Sequence, residues 1–98
     1  MAMVGGFGAP RDADEEIQQV ADAVKSDVVA KIGKDVEQFK AIQVSTQVVA
    51  GTNYLIKVDV GSNEFVHIKV FRSLPPFQHE LKAVETGKGA TDALSNIE

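Results

Sequence analysis

From Ile17 onward, apolar residues recur three and four positions apart: Ile17, Val20, Ala21, Val24, Val28 and Ile32 form one stripe, with Gln18, Gln19, Asp22 and Lys25 on the opposite face. That spacing predicts an amphipathic helix. Two residues can start it, since Asp12 stands three before Glu15 in a capping box and Asp14 can cap a helix beginning slightly later. Gly33 is the expected stop. Beyond it the period changes to two. Ile42, Val44, Thr46 and Val48 alternate with Gln43, Ser45 and Gln47; Tyr54, Ile56, Val58 and Val60 alternate with Asn53, Lys57 and Asp59; Val66, Ile68 and Val70 share one face, with His67 and Lys69 on the other. These are half-buried strands by pattern.

Turn signals separate the strands: Ala50-Gly51-Thr52-Asn53, Gly61-Ser62-Asn63 and Leu74-Pro75-Pro76. A weaker run, Leu81 to Val84, is a further strand candidate, and the segment from Thr86 is polar and shows no period. A helix followed by an antiparallel meander solves a shared burial problem, one apolar stripe against one apolar sheet face. The fold class expected is α+β, with a single N-terminal helix wrapped by an antiparallel sheet of four to five strands. Residues 1–98 are expected to form one domain, of which 1–11 are an N-terminal arm without periodicity.

Ninety-eight residues support one modest core. A net charge of −4 speaks against a nucleic-acid partner and gives no attraction to anionic membranes. The chain has no cysteine, which in so small a domain fits a reducing compartment. Residues 1–10 are apolar but lack a basic leader and run into Arg11 and Asp12, so no signal peptide is expected. No stretch approaches the ~20 apolar residues of a membrane span. The expected location is the cytoplasm.

Catalytic chemistry finds no constellation. A thiol nucleophile and a thiolate metal site both require cysteine. His67 and His79 are isolated, and two lone histidines make no zinc site. Gly5-Gly6-Phe7-Gly8 and Gly87-Lys88-Gly89 do not stand between a strand and a helix as a phosphate loop requires. No enzyme activity, cofactor or metal is expected.

The informative segment is Gln47-Val48-Val49-Ala50-Gly51. Within the longer run Thr46 to Tyr54, TQVVAGTNY, it resembles the inhibitory loop of the stefins, the single-domain branch of the cystatin superfamily. Phe65 to Phe71 is similar to the following stefin strand, Ser73-Leu74-Pro75 to the second hairpin, Glu16-Ile17-Gln18 and Val24-Lys25 to the helix, and Gly5-Gly6 to the end of the N-terminal arm. The resemblance covers residues 4 to 75. Pro76, the segment Phe77-Gln78-His79-Glu80 and the chain end, which lacks a terminal aromatic, depart from the family pattern.

The resemblance implies a reversible, tight-binding competitive inhibitor of papain-like cysteine proteases of the cathepsin L-, S-, H- and B-like kinds. Its protease-binding residues would be Val4, Gly5 and Gly6 in the arm, Gln47, Val48, Val49, Ala50 and Gly51 in the first hairpin, and Leu74 and Pro75 in the second, together a wedge that fills the active-site cleft. It also implies a monomer with access to a strand-swapped dimer. The alternative is a non-inhibitory interaction or assembly module on the same fold.

Overall fold

In the computed structural model, which describes residues 6–97, the choice between two helix caps falls to Asp14. Its carboxylate accepts a hydrogen bond from the Ile17 N–H at 3.0 Å. Asp12 belongs instead to a short strand, β1 (Arg11–Asp12). The helical stripe is carried by two segments in series, α1 (Glu15–Ala23) and α2 (Lys25–Ile32), rather than one unbroken helix. Between them Val24 has φ −114° and ψ 11°, and its N–H reaches Ala21 O at 3.1 Å. That three-residue closure is the tighter turn typical of helix ends. Val24 stays buried, so the apolar stripe crosses the break uninterrupted. Gly33 ends α2 with φ +86°.

Four longer strands follow: β2 (Lys40–Val49), β3 (Gly51–Gly61), β4 (Glu64–Arg72) and β5 (His79–Lys88). With β1 they make one antiparallel sheet in chain order. The run Leu81 to Val84 is the centre of β5. A register shift between Ala41 and Gln43 turns Ala41 into the core in place of Ile42, because a bulge moves the alternation by one residue. The β3–β4 turn has Ser62 at φ 55° and Asn63 at φ 60°, the paired positive values of a hairpin whose twist matches its strands.

The core lies between helix stripe and sheet: Ile17, Val20, Ala21, Val24 and Val28 meet Val44, Tyr54, Ile56, Val58, Val66, Ile68 and Val70. Gln18, at the edge of the stripe, ties the helix to β2. Its amide donates to Phe39 O at 2.8 Å, and its Oε1 accepts from Ala41 N at 2.8 Å.

The far face of the sheet is also covered. Leu55, Lys57 and His67 are buried there although their strand pattern reads as solvent-facing. The cover is the chain end: Lys57 Nζ donates to Ala90 O at 2.7 Å, Lys69 Nζ donates to Asn96 Oδ1 at 2.9 Å, and Ile97 is buried. No helix among the described residues is long and apolar enough to cross a membrane.

Candidate functional site

Antiparallel order puts the β2–β3 and β4–β5 connections at one end of the sheet. In the first, Val49 pairs with Gly51, leaving Ala50 alone at the tip; Val48 pairs with Thr52 and Gln47 with Asn53. Asn53 Nδ2 donates to Gln47 Oε1 at 2.8 Å and fastens the strands just below the tip. Here β2 has run past the helices. The alternation that buries Val44 therefore leaves Val48 77% exposed, with Val49 at 44%. Gly51 has φ +118°, a conformation that side chains rarely adopt.

Thr52 pairs with Arg72, so the second connection, residues 73–78, starts beside the first. Ser73 holds it closed: its N–H donates to Gln78 O at 3.0 Å, its hydroxyl donates to Pro76 O at 3.0 Å, and that hydroxyl accepts from Gln78 N at 3.1 Å. Leu74 stands out at 59% exposure, followed by an exposed Pro75.

The arm approaches the same end. Arg11 pairs with Val44, Gly8 N donates to Thr46 O at 2.9 Å, and Ser45 Oγ donates to Gly8 O at 2.5 Å. Moving toward the N-terminus, the chain climbs alongside β2 toward Val48 and reaches a half-buried Gly6. Val4 and Gly5 lie outside the described residues.

Gln47, Val48, Val49, Ala50, Gly51, Leu74 and Pro75 thus share one edge, with Gly6 on the irregular arm leading up to it. One apolar residue there was not anticipated. Among the described residues the exposed large hydrophobics are Val48, Val49, Leu74 and Phe77, the last at 60%. A phenylalanine among proline, glutamine and histidine in a turn is the signal that could have found it. Arg72 lies beneath: its guanidinium is 5.0 Å from the Phe77 ring centroid, 5.6 Å from that of Tyr54 and 3.8 Å from a Glu16 carboxylate oxygen. Burial raises the Tyr54 pKa, partly offset by Arg72.

Among the described residues, no group of three or more His, Cys, Asp or Glu side chains is placed to hold a metal ion. His67, which the strand alternation puts on the face opposite Val66, Ile68 and Val70, is 1% exposed and its Nε2 meets no partner there. Burial first, then Lys88 and Lys57, hold its pKa below the usual histidine value. A recess of about 400 Å³, lined by residues such as Val36, Glu37 and Phe65, opens at the opposite end of the sheet from the exposed valines.

Residues 5–92 match the Cystatin domain family. The chain is 50% identical to leukocyte cysteine proteinase inhibitor 1 of Sus scrofa over 82 residues, covering 84% of this chain and 80% of that one. It is 53% identical to Stefin-C of Bos taurus, covering 83% and 77%, and 46% identical to Cystatin-B of Bos taurus, covering 95% and 97%.

Proposed function

The chain belongs to the stefin branch of the cystatin family, and from that premise we propose that it is a reversible, competitive inhibitor of papain-like cysteine proteases, blocking the active-site cleft with one edge of its sheet. The observation that carries this reading is the gathering of Val48, Val49 and Leu74, all exposed, on two adjoining turns. Apolar area of that kind is costly to leave in water and marks a contact surface. Both turns are braced, one by the Gln47–Asn53 bond, the other by the bonds of Ser73, so little loop entropy is lost on docking.

Ala50 and Gly51 admit close backbone approach, Val48 and Val49 supply the first apolar contact, and Leu74-Pro75 the second. Gly6, with Gly5 and Val4 before it, leads the arm into the unprimed side of the cleft. The inhibitor stays intact because no peptide carbonyl is offered to the catalytic cysteine for attack. A complex of this kind buries on the order of 1,600 Å². Its targets are cathepsin L-, S-, H- and B-like enzymes. The chain itself carries out no catalysis and acts as one domain, 1–98, in the cytoplasm, a location that the absence of cysteine supports. It is a monomer with access to a dimer swapped through the Val49–Gly51 turn.

Titration of papain of known active-site concentration tests the proposal. Activity should fall linearly to zero at one inhibitor per enzyme, with the inhibitor recovered uncleaved. Val48→Asp should weaken inhibition by about a hundredfold or more, since it buries an unpaired charge, and leave the melting temperature unchanged. No inhibition at micromolar concentration would overturn the reading.

A further inference from the structure

We infer that Phe77 is an additional protease contact that sets selectivity, docking on an apolar patch at the rim of the enzyme's cleft beside the place taken by Leu74. The inference rests on the inhibitory reading above and extends the binding edge by one residue. Phe77 is one of four large hydrophobics exposed among the described residues, and the other three make up that edge. It follows Leu74 by three positions in the same Ser73-closed turn, so the patch is continuous with the proposed interface.

Its ring is also held in place before any partner arrives. The Arg72 guanidinium lies over both the Tyr54 ring, 5.6 Å from its centroid, and the Phe77 ring, 5.0 Å from its centroid, and Glu16 pairs with Arg72 at 3.8 Å. A cation over an aromatic face within about 6 Å is attracted to it. A pre-positioned aromatic loses little freedom on binding, which is how aromatic anchors come to dominate interfaces.

Selectivity follows from where it stands. Val48 and Val49 enter the part of the enzyme shaped by its chemistry, whereas Phe77 lies to one side of them on the second turn. The enzyme surface it meets is outside the reacting groove and free to differ between proteases. A second copy of this chain is the other candidate occupant, but a lone ring offers far less than the roughly 800 Å² per partner of a stable interface.

The test measures association and dissociation rates of the intact chain, Phe77→Ala, Phe77→Leu, Arg72→Met and Val48→Asp with papain, a cathepsin-L-like and a cathepsin-B-like protease, with a melting curve for each variant. Phe77→Ala should speed dissociation about tenfold with at least one enzyme and by a clearly different factor with another, at unchanged melting temperature. Phe77→Leu should recover part of the loss. Arg72→Met should move the same enzymes in the same direction by less, as a positioning residue would. If the intact chain inhibits and Val48→Asp does not, yet Phe77→Ala matches the intact chain on every enzyme, this inference fails and the inhibitory reading stands. If the intact chain fails to inhibit, both fall. A dimer in sedimentation that Phe77→Ala abolishes, with unchanged inhibition, would assign the ring to self-association and overturn the proposal.

Discussion

Gly51 sits against Phe71: a Cβ built on it would lie 2.7 Å from Phe71 Cζ and 2.5 Å from the Arg72 carbonyl oxygen. With φ +118° the position is closed to side chains twice over, by its own backbone and by the neighbouring strand. Gly51→Ala should therefore cost about 2 kcal/mol of stability, read as a lower urea midpoint. Inhibition of papain should weaken with it, because the hairpin tip must move to relieve the contact. An unchanged midpoint would mean that β3 and β4 separate at this end without cost.

The arm has two parts with different consequences. Deleting residues 1–5 should speed dissociation from papain-like proteases about tenfold or more while association hardly changes, because both turns still dock. The urea midpoint should stay where it is. Deleting residues 1–10 also removes the bonds of Gly8 to Thr46 and to the buried Ser45 hydroxyl. Each is worth about 1 kcal/mol, so this longer deletion should lower stability as well. Equal midpoints for the two deletions would show that the contacts at Gly8 add nothing.

His67 makes stability depend on pH. Burial, together with Lys88 and Lys57, holds its folded pKa below the unfolded value, and the weaker pulls of Glu85 and Asp92 do not restore it. The unfolded chain binds the proton more readily, so the contribution is complete above about pH 6.5 and is lost as pH falls through the folded pKa. The urea midpoint should drop on going from pH 7.5 toward 5.5, and His67→Phe should flatten that slope. Removing residues 90–98, of which 90–97 cross this face, should flatten it too by letting His67 hydrate. A slope that survives both changes would assign the pH dependence to other groups.

A swapped dimer should form on heating to partial unfolding. One residue, Ala50, joins two long strands, and extending residues 49–51 would let β3 of one copy pair with β2 of another. Size-exclusion chromatography should then show a dimer that no longer inhibits papain, since the tip carrying Val48 and Val49 has been straightened. A dimer as inhibitory as the monomer would contradict the hinge assignment.

Much of the fold was legible because it rests on local periodicity. The stripe from Ile17 to Val28 and the alternation of Tyr54, Ile56, Val58 and Val66, Ile68, Val70 each report a face, and the structure buries every one of these residues. Gly33 ends the helix as its residue type suggests. The edge residues Gln47 to Gly51 and Leu74-Pro75 were legible through a motif, which states residue types in order and needs no coordinates.

What the sequence alone left open depends on contacts between distant segments. Both Asp12 and Asp14 can cap a helix; pairing of β1 with β2 claims the first and leaves Asp14 to the helix. Gln18 reads as solvated until Phe39 and Ala41 present a carbonyl and an N–H to its amide. Leu55, Lys57 and His67 lie on the polar half of an alternating pattern, yet they are buried on a face that the chain end crosses, with Lys57 bonded to Ala90 and Lys69 to Asn96. Phe77 carries no periodicity at all. Its place depends on the Arg72 guanidinium beneath it, and that contact exists only once β3, β4 and α1 bring Tyr54, Arg72 and Glu16 together. Period reports which face a residue takes, but what covers that face is decided by chain closure over tens of residues.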